Sequence, residues 1–193
     1  MSWRLVEGVP LPDAVGGHPA LDFCNTRAGW GDPAPKEYLR TPGVLPLWAR
    51  ENGLVPAVRP DVADDGALGR ALALREALYR CALGTGRDAD WDLVSGEASA
   101  ARAASVLRPG GDVGALWAPR GETGTPADAL RAVALAAEDL LTSDLSGFVA
   151  ACPGEGCGWL FADRRRRRRW CSMAACGNRA KARRYAERHG VRV

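Results

Sequence analysis

Four cysteines near the C-terminus constrain this chain more than anything else in its sequence. Four residues separate Cys152 from Cys157, thirteen separate Cys157 from Cys171, and four separate Cys171 from Cys176. Two close pairs split by a hairpin-sized gap let four thiolates converge on a tetrahedral ion at about 2.3 Å, which is the pattern of a zinc site. Pro153-Gly154-Glu155-Gly156 lies inside the first pair, and its glycines permit the tight turn that such a knuckle needs. The second pair straddles the predicted start of a terminal helix, from Ser172 onward. Four sulfurs close the coordination sphere, so the spacing predicts one structural Zn2+ rather than a catalytic one. Cys24 and Cys81 are solitary in apolar helical patterns and read as core residues.

This reading needs a reducing compartment. Met1-Ser2-Trp3-Arg4 does not resemble the start of a secretion signal, and the apolar stretches are short and broken by charge. A cytoplasmic protein without membrane contact is expected, where clustered cysteines hold metal rather than disulfides. The heavy use of Ala, Gly, Arg and Pro matches the codon bias of a GC-rich bacterial genome.

The formal charge of +3 hides an asymmetry. Residues 151–193 carry twelve basic against three acidic residues, a surplus of +9, whereas residues 1–150 carry −6. A basic end on an acidic body predicts a polyanion contact confined to that end. Arg164, Arg165, Arg166, Arg167, Arg168 and Arg169 run without interruption, and the terminal helix adds Arg179, Lys181, Arg183, Arg184 and Arg188. Guanidinium groups pair bidentately with phosphate, and Asn178, one turn into the helix, has an amide able to read adenine or to bond the nearby backbone. Charge alone does not separate DNA from RNA. Trp159 and Trp170 are expected to cover the zinc site, with base stacking as the alternative.

The rest of the chain predicts an α+β fold, mainly helical. His18 caps a short helix with Pro19 at its first position, burying Leu21 and Cys24 and aligning His18, Asp22 and Asn25 on another side. Thr41-Pro42 starts a second helix with Leu45 and Trp48, ended by Asn52-Gly53. Asp64 or Asp65 begins a third, Ala67 to about Leu83, with a Leu74, Leu78 and Cys81 stripe broadened by Leu68 and Leu72. Ala101 to Pro119 reads as a hairpin around a Pro-Gly-Gly-Asp turn. Thr125-Pro126 starts a long amphipathic helix that buries Leu130, Val133, Ala137, Leu140 and Leu141.

Cys157-Gly158-Trp159-Leu160-Phe161, the Asp163-Arg164 step, Trp170-Cys171-Ser172-Met173 and Cys176-Gly177-Asn178-Arg179-Ala180-Lys181 resemble the CGNR zinc-finger family. The stretch Gly17-His18-Pro19-Ala20-Leu21-Asp22-Phe23-Cys24-Asn25-Thr26 is similar to the ABATE domain that accompanies this finger in bacterial proteins. The resemblance implies stress-related transcription regulators, an ABATE-like domain over 1–146 and a finger over 147–193. In place of the family's longer loop between the Asp-Arg step and Trp-Cys, this chain has its arginine run.

The functional expectation is a zinc-dependent nucleic-acid-binding protein, a regulator of transcription that binds double-stranded DNA. Its N-terminal domain would sense a small-molecule effector through His18, Asp22 and Asn25, and a homodimer is among the expected assemblies. The alternative is an RNA-binding or protein-interaction module with a purely structural N-terminal domain. No nucleophile, phosphate loop or catalytic metal pattern accompanies His18 and Asp22, so no enzyme is expected.

Overall fold

A computed structural model describes residues 2–59, 66–110, 114–120 and 124–190. It divides into two compact units, Met1–Tyr38 with Gly147–Val193, and Leu39–Ser146. One edge of that division lies between Ser146 and Gly147. The other falls at Tyr38, so the N-terminal residues belong with the cysteine segment.

Among its described residues, the Leu39–Ser146 unit is a helical core with one hairpin. Its helices are α2 (Val44–Glu51), α3 (Ala67–Ala82), α4 (Asp88–Ala103) and α5 (Pro126–Thr142). Thr125 caps α5 by exchanging hydrogen bonds with Asp128, and Pro126 sits where no N–H is required. The face predicted for α5 is buried at Leu130, Val133, Ala137 and Leu140, while Leu141 is half-buried. α5 packs on α2, α3 and α4. α2 begins at Val44, two residues past Pro42, and ends at Glu51 with Asn52 as its C-cap. In α3, Leu74, Leu78 and Cys81 are buried and Leu68 and Leu72 half-buried; the expected start at Asp64 or Asp65 lies outside the described residues.

α4 is a helix that the sequence does not signal. Its buried side chains are only Asp90, Val94 and Ala101, with Gly96 mid-helix, so it lacks the large apolar periodicity by which a helix is recognised. Bidentate arginine–carboxylate pairs tie it to its neighbours: Arg102 to Glu138 at 2.8 and 2.7 Å, and Arg70 to Glu97 at 2.9 and 2.7 Å. β5 (Ser105–Pro109) and β6 (Ala115–Pro119) form the predicted antiparallel hairpin, with Leu107 opposite Trp117. Gly111 and Asp112 of its turn lie outside the described residues.

Among its described residues, the other unit is built from short antiparallel pairs and two helices. β1 (Trp3–Val6) pairs with β2 (Val9–Pro12), β3 (Arg27–Ala28) with β4 (Lys36–Glu37), and β7 (Val149–Ala151) with β8 (Leu160–Ala162). These strands of two to four residues are too short for alternation to stand out in sequence. α1 spans Pro19–Cys24, with His18 at its N-cap and Pro19 in its first turn, as the sequence predicts. A π-helical turn, Met173–Gly177, runs into α6, Asn178–His189. Ala28, Tyr38, Trp159 and Phe161 share one buried cluster with the four cysteines, and Val15, Trp30 and Trp170 pack against it. Among the described residues, no helix is long and apolar enough to cross a membrane.

Candidate metal centre and basic surface

The β7–β8 hairpin carries the first cysteine pair. Its turn brings Gly154 so close that a Cβ there would lie 3.0 Å from Cys176 Sγ, and Gly156 adopts φ +60°. A side chain at either position would strain the knuckle or push into the cysteine cluster. The second pair brackets the π-turn, where Gly177 N–H reaches back to Ser172 C=O at 3.1 Å. That wider turn carries Cys176 back beside Cys171.

The four ligand sulfurs are buried and lie within 4.8 Å of one another. Cys157 Sγ stands 3.7 Å from Cys171 Sγ, and Cys171 Sγ stands 3.6 Å from Cys176 Sγ. Metal–sulfur bonds of about 2.3 Å in a tetrahedron require sulfurs about 3.8 Å apart, so the cluster has the size of a Zn2+ site. Its proton chemistry also fits a cation. Hydrogen bonds from Cys157 and Cys171 hold the Cys152 thiol down, while the hydrogen bond with Cys152 pushes Cys157 and Cys171 up. Crowded sulfurs cannot all ionise until a divalent ion lies among them. Cys152, Cys157, Cys171 and Cys176 thus form one zinc site, and bound zinc supplies a closed structural cross-link.

Trp159 and Trp170 take the covering role expected of them. Trp159 is fully buried and its indole N–H donates to Arg27 C=O at 3.0 Å, while Trp170 packs on the cysteine cluster. Gly29 and Trp30 N–H both donate to Cys157 C=O, at 3.1 and 3.2 Å. Residues far upstream therefore complete the metal site's surroundings, which spacing in the finger cannot reveal.

Six successive arginines are organised by one acid. Asp163 accepts from the backbone N–H groups of Arg165, Arg167 and Arg168 at 3.0, 2.5 and 2.6 Å. These amides, Arg168 first, hold its carboxyl below the usual range. The turn they close places Arg166 at φ 49°, in the left-handed region. All six arginines are exposed, but their side chains have different surroundings. Arg164 and Arg166 lie over Phe148, with guanidinium-to-ring distances of 5.8 and 5.4 Å. Arg168 lies 4.6 Å from the Phe161 ring and donates to the carbonyls of Val15 and Cys171. Arg165 and Arg167 have no side-chain partner among the described residues.

α6 is exposed along its length except at Ala186 and half-buried Ala180. Asn178 Nδ2 reaches Ala174 C=O at 3.4 Å, and Lys181 is exposed. Arg183 pairs with Glu155 of the knuckle, and Arg184 Nε donates to Ala180 C=O at 3.3 Å. Arg179 is exposed on α6 and also reaches the metal centre. Its Nη2 donates to Cys176 Sγ at 3.0 Å, so its charge lies against a zinc ligand. Four thiolates around a divalent ion carry excess negative charge, and this guanidinium offsets part of it. The signal for it is the three-residue offset from Cys176, which places both on one helical side.

The ligand-cradle expectation for His18, Asp22 and Asn25 meets a different arrangement. His18 Nδ1 accepts from Ala20 N–H at 3.2 Å, as a helix cap. Asp22 Oδ1 accepts from Val15 and Gly16 N–H at 2.8 and 2.7 Å; burial pushes its carboxyl up, and those amides oppose that. Asn25 is fully buried and uses both ends of its amide on the Leu160 backbone, at 2.9 and 2.7 Å. These polar atoms brace backbone within the zinc-bearing unit, because buried donors and acceptors must be satisfied there.

The ABATE family, described as "Putative stress-induced transcription regulator", matches residues 17–144. The CGNR zinc finger matches residues 149–189. No curated protein matches the chain. With the family spanning most of its length and the four-cysteine site in place, this chain belongs to the ABATE family and carries a CGNR zinc finger at its C-terminal end.

Proposed function

We propose that this protein is a transcription regulator that binds double-stranded DNA in the bacterial cytoplasm through its zinc-bearing unit. The observation that carries this reading is the arginine turn beside the metal site. Asp163 fixes its backbone, while Arg165, Arg167 and, on α6, Lys181 and Arg188 remain exposed. Like charges held together on a rigid scaffold repel one another unless an anion lies between them. α6 has twelve residues, roughly 18 Å of helix, and buries only Ala186, so its side away from the knuckle is accessible to a major groove. A reducing cytoplasm keeps the four thiols available for zinc.

The test is binding of the zinc-loaded full chain to duplex DNA and duplex RNA of matched length across a salt series. Tight binding to DNA, steeply weakened by salt and not matched by RNA, supports the proposal. Affinity independent of salt removes the phosphate-contact reading, and preference for RNA replaces DNA as the target.

A further inference from the structure

A cavity of about 430 Å³ opens between the zinc knuckle and α6, within the roughly 300–1,000 Å³ range of small-ligand sites. One face of α6 supplies Ala180, Arg183, Arg184 and Glu187, which stand at helical spacings of three and four. The small Ala180 leaves room on that face. The knuckle contributes Glu155, and Trp170 with Arg169 forms a further wall, the guanidinium 5.2 Å from the indole ring. The zinc ligands Cys152, Cys157, Cys171 and Cys176 hold the knuckle, Trp170 and the start of α6 in place.

The lining is chemically selective. Arginines only donate hydrogen bonds and ionised glutamates only accept them. Inorganic phosphate satisfies the arginines but is repelled by Glu155 and Glu187. A purely apolar molecule offers no partner to the hydrogen-bonding groups of Arg184 and Glu187. The occupant must be flat enough to lie against an indole and must present acceptors on one edge and adjacent donors on another. Guanine does so, with O6 and N7 as acceptors for arginine and N1–H with N2–H as paired donors for a carboxylate. Cytosine and adenine each lack the second adjacent donor. The Arg183–Glu155 pair is exposed and contributes little stability, so a ligand can replace it at small cost.

We infer that this cavity binds one unpaired guanine nucleotide, with Glu187 accepting from the base and the arginines meeting O6, N7 and the phosphate. In a duplex, N1–H and N2–H are committed to cytosine, so the base must come from a strand end, a flipped position or a free nucleotide. The strand-borne form rests on the nucleic-acid reading above, and the free-nucleotide form does not.

The experiment uses the zinc-loaded full chain. Anisotropy compares a blunt duplex with the same duplex carrying one unpaired guanine, adenine or cytosine, and calorimetry follows guanosine and adenosine monophosphates directly. The inference predicts about tenfold tighter binding of the guanine overhang than of the adenine overhang. Glu187→Gln should remove that preference while blunt-duplex affinity and zinc content stay unchanged or rise. Heat from guanosine monophosphate alone, lost in Glu187→Gln, identifies the free nucleotide as a source. If blunt DNA binds but the overhangs are equivalent and neither nucleotide gives heat, the inference falls and the nucleic-acid reading stands. If no nucleic acid binds but guanosine monophosphate does, the reverse holds. A guanine preference that survives Glu187→Gln overturns the assignment to this cavity.

Discussion

The side-chain amide of Asn25 closes a two-way hydrogen bond on the backbone of Leu160: Nδ2 donates to its carbonyl at 2.9 Å, and its N–H donates to Oδ1 at 2.7 Å. The partners are separated by 135 residues, and both are fully buried. Leu160 lies on β8, three residues after a zinc ligand. The helix nearest the N-terminus is therefore joined to the metal-bearing hairpin by a side chain that substitutes for a neighbouring strand.

Replacing Asn25 by Ala should leave both Leu160 backbone groups buried without partners, at about 1–3 kcal/mol for each. Urea unfolding of the zinc-loaded chain should show a midpoint well below that of the parent. Hydrogen exchange should locate the loss at Leu160. Asn178→Ala, at an exposed position, serves as the control and should change stability by no more than about 0.5 kcal/mol. Equal stability of the Asn25 variant and the parent would contradict the bracing role.

The contact between Arg179 and Cys176 predicts a graded effect on metal affinity. Arg179→Ala should weaken zinc binding by about 10–100-fold in competition with a chelator, as expected for loss of a group that hydrogen-bonds a ligand. Arg179→Lys should recover part of it. Cys157→Ser should lose the ion outright, read by elemental analysis, and Cys24→Ala should retain it. Unchanged affinity in Arg179→Ala would return that side chain to the nucleic-acid surface.

Neighbouring arginines should separate into two behaviours. Arg165→Ala with Arg167→Ala should reduce the log–log salt slope on duplex DNA by about 0.9 for every phosphate that is no longer neutralised, and should leave the melting temperature unchanged. Arg168→Ala should lower the melting temperature instead, because its guanidinium holds the Val15 and Cys171 carbonyls. Identical effects from all three replacements would refute this division.

Asp90 gives a pH dependence in the helical unit. Hydrogen bonds from Arg80, followed by the Arg87 amide, hold its carboxyl down to about 2, against an ordinary value of about 3.9. Its depressed value means that its contribution is complete above about pH 4 and is lost as pH falls toward 2. Asp90→Asn should lower stability at neutral pH and flatten the acid limb between those values. Denaturation curves from pH 2 to pH 7 check it, and parallel profiles for variant and parent would contradict the assignment.

What was legible in the sequence follows from how local each feature is. Cysteine spacing identified the zinc ligands because a tetrahedron of thiolates imposes its own geometry on the intervening loops. His18-Pro19, Thr125-Pro126 and the α5 stripe revealed their helices because caps and periodicity act within a few residues. α4 stayed hidden because small residues and paired charges fix it to α3 and α5. Tertiary structure alone decided which chemically similar residues do different things. Arg168 and Arg179 turn onto protein atoms while Arg165 and Arg167 do not, and Asn25 and Asp22 brace backbone. Sequence separation also concealed that Val15, Ala28, Trp30 and Tyr38 pack around the metal site. A backbone carbonyl has no signature of its own in sequence, and most of these choices were made by hydrogen bonds to carbonyls and amides brought together only by folding.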